Sequence, residues 1–432
     1  MIIFYRLAFP FLALLLFPYY LKRMIKRGGY GVQFFHRGGF WPSLPPKSDK
    51  IKRIWIQAVS VGELSSIQKL IDKLSSDDRF EVVLSSTTST GLAYAREKFS
   101  QQTIATGPFP LDWWPCTLLG WSKICPDLII TIDSELWPEH FEQARQRGVP
   151  VLVLNARLSD RTFSRLSQSA LARSFLLPKG LEILATSERQ RGRWLELGVN
   201  PGLVHVSGNL KVDSANLLTI SGKRRAELRE EFGFRENSIV LCAISSWPGE
   251  EELLIQTILQ LGNNGVDARL LIIPRHAERR RQISKVMQES GLPFHLRSEQ
   301  VNAPKDTVLY LADTTGELAE LIQAADLGWM GKTLAPNHGG QNPIEPISIG
   351  LPLVCGPNYQ NFSETCADLL LHDALIETGD HEAAKSTLIE LAQNSATRNR
   401  LGYNAKQWMV KQGSPTLHSM GHIMRLLEIP KG

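Results

Sequence analysis

The feature that most constrains this chain is an alternation. Short apolar runs recur along most of its length, and between most of them lie stretches with apolar residues at helical spacing. The runs read as strands at 53–59, 80–86, 127–132, 150–154, 182–186 and 203–207. A second series starts near 238 with IVLCAI and continues at 269–273, 307–311, 327–331 and 352–355. Strands that alternate with amphipathic helices build parallel sheets covered by helices on both faces. Two series predict two doubly wound α/β domains, joined near 208–236, with a helical tail from about 381 to 428. A length of 432 residues, too much for one ordinary core, agrees with that division. In such sheets ligands bind beyond the carboxyl ends of the strands. The turns that follow the strands are therefore where chemistry is expected.

The N-terminus departs from the pattern. From Ile2 to Leu21 it is apolar except for Arg6, and Lys22, Arg23, Lys26 and Arg27 follow at once. A signal peptide places its charges before the apolar run, not after it. The segment predicts a membrane-anchor helix over 1–27, spanning or lying in the interface, with the bulk of the chain on the cytoplasmic side. Residues 1–53 hold ten Lys or Arg and one acid, a local charge of +9 in a chain of net +5, so the remainder carries −4. That placement excludes nucleic acid as a partner, because the basic excess sits beside an apolar segment rather than on a folded domain. Five scattered cysteines without a C-x-x-C argue against a disulfide framework and for a reducing compartment.

Several turns carry reactive residue types. In IWIQAVSVGELSS an apolar run stops at Ser60-Val61-Gly62-Glu63, and helical spacing begins. Ser60-x-x-Glu63 fits a capping box, as does Thr314-x-x-Glu317, and Asn342-Pro343-Ile344-Glu345 fits with Asn as cap and Pro at the first helical position. A capped helix start also presents free amides and a positive dipole end, a seat for phosphate, so cap and ligand site are compatible. SSTTSTG (85–91), Asp133-Ser134-Glu135 and Asn155-Ala156-Arg157 end strands of the first half. SSWPGEEE (245–252), Pro274-Arg275-His276 and the glycine-rich GGQNPIEP (339–346) do so in the second. Acids gather in the first half and phosphate-suited groups in the second. GWMGKT (328–333) ends like a P-loop but has Asp326 where the first glycine belongs. His418 and His422 lie four apart without a third ligand in view, and read as two helical histidines; no metal site is expected.

In order along the chain, AVSVGE (58–63), SELWP (134–138), NARLS (155–159), GNLKVD (208–213), PGEE (248–251), PRHAER (274–279), DTTGEL (313–318) and GGQNPIEP (339–346) resemble the 3-deoxy-D-manno-octulosonic acid (Kdo) transferases of lipopolysaccharide assembly. The resemblance implies a GT-B architecture, two Rossmann-like domains facing across a cleft behind an N-terminal membrane anchor. It divides the chain into an anchor with its basic flank over 1–27, an acceptor domain over 28–210 and a donor domain with the C-terminal helices over 211–432. It implies CMP-Kdo as donor substrate, no cofactor, a lipid A precursor of the lipid IVA type as acceptor, and inverting, metal-independent transfer at the bacterial inner membrane. It places the general base on Glu63 and transition-state support on Asp133 and Lys211. CMP contacts fall on Pro274, Arg275, Thr315, Gly316, Glu317, Asn342, Pro343, Ile344 and Glu345. The chain departs from the family pattern at Gln57 and Gln341, each in place of His, at Asp133 in place of Glu, and at Ser246-Trp247 in place of Thr-His. A GT-B enzyme using another nucleotide sugar, and a non-catalytic membrane-bound scaffold, are the competing readings.

Overall fold

The computed structural model describes residues 1–27, 34–48, 50–214 and 219–428. The chain divides into two compact units, Met1–Ser214 with Ser414–Gly432, and Ala215–Gly413.

Unit 1 holds β1 (Lys52–Ala58), β2 (Phe80–Ser86), β3 (Ala105–Pro108), β4 (Leu128–Ile132), β5 (Val151–Ala156), β6 (Leu181–Ala185) and β7 (Val204–Val206). They form one parallel sheet in the order β3-β2-β1-β4-β5-β6-β7. β4 and β5 are buried at every position, which explains why the sequence there is a continuous apolar run rather than an alternation. One face packs Ile54, Ile56, Leu128 and Ile130 against helices, and the other packs Trp55, Ile129, Val153 and Ile183 with Trp121 and Phe141.

Unit 2 holds β8 (Ile239–Ser246), β9 (Ala268–Pro274), β10 (Phe294–Leu296), β11 (Leu309–Leu311), β12 (Leu327–Met330), β13 (Leu353–Cys355) and β14 (Ile376–Glu377), again all parallel, in the order β10-β11-β9-β8-β12-β13-β14. In each sheet the strand order reverses beside the first strand, between β1 and β4 and between β8 and β12. A crevice opens at such a reversal because the crossovers leave in opposite directions.

The expected strands are all present, and three short ones join them. β3 has the composition Ala-Thr-Gly-Pro, which hides it. It lies at the sheet edge, where proline is tolerated. Gly107 within it is required by packing, since a Cβ there would fall 2.8 Å from the Trp41 ring. β10 and β14 are three and two residues long, too short for a periodicity to register.

The C-terminal helix Pro415–Leu426 belongs to unit 1 rather than to the donor domain in which the resemblance placed it, and the boundary falls after Ser214 rather than after 210. Ile423 and Leu427 complete the unit 1 core, and Asp213 accepts a hydrogen bond from the Thr416 amide at 2.6 Å. His422 in this helix is buried against Glu182 of β6 at 3.0 Å, whereas His418 is exposed. Glu182, His205 and His422 hold ligand-type atoms within 4.8 Å of one another. The guanidinium of Arg425 donates to both rings, so the chain's own side chain fills a cation's place.

Of the two expectations for the N-terminal helix Ile2–Arg27, spanning or lying in the interface, the first finds no support: among the described residues no helix is long and apolar enough to cross a membrane. Arg6 is the reason. It makes a two-pronged ion pair with the fully buried Glu139, at 2.8 and 2.9 Å, and Tyr5 donates to Asp112 at 2.8 Å. Asp112 in turn accepts from the Glu139 and His140 amides. One face of the helix is thus fastened to unit 1, while Phe4, Leu7, Phe11, Leu14 and Leu15 are exposed. The side chains of the basic flank, Lys22, Arg23, Lys26 and Arg27, lie outside the described residues, as does residue 28, the expected start of the acceptor domain.

Candidate active site

In unit 1 the end of β5, which holds Asn155, and the segments after β1, β4, β5 and β7, which hold Glu63, Asp133, Arg157 and Lys211, lie at the carboxyl edge of the sheet, around the reversal between β1 and β4. Glu63 lies in the first turn of the helix Val61–Ser66. It does cap that helix. Ser60 Oγ accepts from the Glu63 amide at 3.4 Å, while the Glu63 carboxylate accepts from Ser60 Oγ at 2.8 Å and from the Val59 amide at 2.6 Å. These bonds fix the rotamer without removing the group from the site, because each carboxylate oxygen retains a second lone pair. Burial raises the Glu63 pKa above the usual carboxylate range; the Val59 and Ser60 hydrogen bonds oppose this, Asp133 adds to it and Arg157 subtracts. A dipole end that merely keeps the group ionised is therefore not the dominant influence, and the raised pKa makes it a stronger base.

Asp133 sits in the left-handed region, φ 62°, as does Asn155 at 57°. Its Oδ1 accepts from Asn155 Nδ2 at 2.7 Å, and its Oδ2 accepts from Arg157 at 2.8 and 3.1 Å. Asn155 Oδ1 accepts from the Leu210 amide at 3.0 Å, which locks the Lys211-bearing turn to the Asp133 turn. Burial lowers the Lys211 pKa, Arg157 adds to this, and Asp133 and Glu63 oppose it. The three residues predicted for this half thus share one electrostatic environment. Glu135 belongs with them, its pKa pushed up to about 7 by burial and by Glu63 and Asp133. Glu135, Asn155 and Arg157 carry no role in the sequence reading. The signals for them were their place at or just after a strand end and the SELWP and NARLS motifs that contain them.

In unit 2, Pro274 ends β9 and is buried, while Arg275 is exposed beside it. The PGEE and PRHAER segments prove to be a joint framework. Glu251, 1% exposed, accepts from Ser246 Oγ at 2.7 Å and from Arg279 at 2.8 and 3.1 Å. Glu250, also buried, accepts from the amides of Trp247, Lys332 and Thr333 at 2.9–3.0 Å, tying the turn after β8 to the turn after β12.

Thr315 and Gly316 are exposed on the turn after β11. Glu317 differs from expectation. It is not the third residue of a capped helix, because the helix Leu318–Leu321 starts after it. Nor is its carboxylate an open acceptor: Arg297 grips it from 2.7 and 3.1 Å and the Thr314 hydroxyl donates to it. Arg297 was invisible in the sequence because it follows a strand too short to notice. Asn342 holds the next turn, its Oδ1 accepting from the Ile344 amide at 3.2 Å and its Nδ2 donating to Glu345 at 3.3 Å. The helix begins one residue later than predicted, at Ile344, and Pro343 and Ile344 are buried. It spans five residues, so its dipole is small. Burial raises the Glu345 pKa, with Asn342 and Arg275 opposing.

Residues 33–214 match the family described as 3-deoxy-D-manno-octulosonic-acid transferase, and residues 226–408 match glycosyl transferases group 1. The 3-deoxy-D-manno-octulosonic acid transferase of Bordetella pertussis is 27% identical over 431 residues, covering 96% of this chain and 97% of its own. That of Haemophilus influenzae is 26% identical over 413 residues, covering 94% and 92%. Among solved structures, Anabaena HepE in complex with UDP is similar in fold, with a TM-score of 0.56 at 14% identity over 88% of this chain and all of that one.

Proposed function

The chain belongs to the Kdo transferase family of lipopolysaccharide biosynthesis and is a glycosyltransferase of GT-B fold, and from that premise we propose the finer reaction. It moves Kdo from CMP-Kdo to a lipid A precursor of the lipid IVA type, with inversion and without a metal. The observation that carries this reading is the cluster of Glu63, Asp133, Glu135, Arg157 and Lys211 at the strand-order reversal of unit 1. An acceptor hydroxyl is a poor nucleophile, so a carboxylate of raised pKa suits the removal of its proton. The hydroxyl oxygen bonds to the anomeric carbon as the bond from that carbon to the CMP phosphate breaks. The proton goes to Glu63 and the electron pair to the phosphate. Arg275 offsets the charge that gathers on CMP, and Lys211 with Arg157 holds the carboxylates in register.

Titration calorimetry tests the donor. CMP is expected to bind and UDP not, and Arg275→Ala to weaken CMP about tenfold. Tight UDP binding with no response to CMP would instead support a different nucleotide sugar.

The exposed apolar face of the N-terminal helix suits the interfacial region of a bilayer, with Arg6 turned to the protein. On this reading the enzyme lies on the cytoplasmic face of the bacterial inner membrane, where its anionic lipid acceptor is found. Joint substitution of Phe4, Leu7 and Phe11 by Ser should abolish co-flotation with vesicles containing anionic phospholipid. Unchanged flotation would contradict it.

A further inference from the structure

Resting on the donor assignment above, we infer that Lys332, seated over Trp247, selects the donor by its sugar carboxylate rather than by its phosphate. Both residues stand at the strand-order reversal of unit 2. Trp247 is the first residue after β8, and Lys332 follows β12 by one glycine. The Lys332 ammonium lies 4.3 Å from the centroid of the indole ring. The amides of both residues donate to the same buried carboxylate oxygen of Glu250, at 2.9 and 3.0 Å, so their backbones are fixed relative to one another.

Three observations point to a ligand. The ammonium, with three protons to give, makes no hydrogen bond or ion pair among the described residues, only the ring contact. The indole N–H of Trp247 is buried without a partner among them, at a cost unless a ligand supplies an acceptor. Lys332 also holds φ at 64°, a left-handed conformation that glycine takes without strain and a lysine does not.

The chemistry of the donor fits the pair. Kdo is a sugar acid whose carboxylate is borne on the anomeric carbon, so the donor presents two anions on neighbouring atoms. Arg275, one strand to the other side of β8, has the planar fork that suits a phosphate. A compact ammonium and a single N–H remain for the carboxylate. Trp247 packs edge-on to His276 with ring centroids 5.5 Å apart, so the indole is braced by the turn that carries Arg275. Nucleotide sugars without a carboxylate would leave the pair unsatisfied, which is a means of rejecting them.

Steady-state kinetics with CMP-Kdo, and inhibition by CMP in the same assay, read the two anions separately. Lys332→Met should raise KM for CMP-Kdo about tenfold while the inhibition constant of CMP stays within about twofold. Lys332→Arg should recover most of the loss, and Trp247→Leu should reproduce it. Lys332→Gly guards against misfolding, since it relieves the backbone and should be at least as stable, yet show the same rise in KM. CMP inhibition that weakens in parallel would mean that Lys332 reads the phosphate and would overturn the inference. So would a KM unchanged in Lys332→Met and Lys332→Gly. A wild-type enzyme indifferent to CMP would sink the donor assignment itself, a result distinct from either.

Discussion

Glu63→Gln lowers turnover by roughly a hundredfold or more while the protein remains folded, if the SVGE carboxylate takes the acceptor's proton. The amide keeps the shape: its oxygen can still accept from the Val59 amide while its NH2 donates to the Ser60 hydroxyl, so the helix start survives. A purely structural Glu63 would instead cost on the order of 1 kcal/mol of stability with turnover barely altered. The pH profile adds a second readout. Because burial raises the Glu63 pKa, the acid limb of kcat/KM should lie above the ordinary glutamate range, with activity lost as pH falls through it. Asp133→Asn removes a negative charge that raises the Glu63 pKa and should move that limb to lower pH. A limb at the ordinary position, unmoved by Asp133→Asn, would contradict the shared environment.

Glu251→Ala should produce the largest loss of stability. It strips the Arg279 guanidinium, whose side chain is 15% exposed, of its partner and leaves the Ser246 hydroxyl unmatched. Breaking a buried pair of this kind costs about 3 kcal/mol, which for a domain the size of unit 2 lowers its unfolding midpoint by roughly 8 °C. Calorimetry should show the drop in the transition of unit 2 alone, because no described bond of Glu251 reaches unit 1. Arg279 lies four residues beyond Arg275 in the same segment, so CMP affinity should fall as well. A midpoint within about 1 °C of wild type would refute the framework role assigned to PGEE and PRHAER.

The fold was legible wherever burial imposed a pattern. β4, β5, β8 and β9 are buried nearly throughout, and a strand covered on both faces has to be an apolar run. β3, β10 and β14 escaped because edge strands of two to four residues are too short to carry a pattern. The unit 1 site was legible in part. Glu63, Asp133 and Lys211 follow strands, and the carboxyl edge gathers whatever follows strands. Their mutual arrangement was not, since Asn155 links the turns through side-chain bonds across a long span of sequence. Glu317 shows the opposite failure: a T-x-x-E spacing suggests a cap, but Arg297 claims the carboxylate first. Arg6 weakened the membrane span on paper, and its buried partner Glu139 explains why the helix carries it. Lys332 lay inside a rejected P-loop ending, where the dismissal of one motif hid the lysine itself.

The central claim is that the acidic edge of unit 1 transfers Kdo to a lipid hydroxyl. Mass spectrometry of a tetra-acylated lipid A precursor, after incubation with the protein and CMP-Kdo, reads that event directly. The account predicts product ions heavier by one or more Kdo residues with wild type and only a trace of them with Glu63→Gln. An acceptor of unchanged mass with active donor present, or equal product from both proteins, would contradict it.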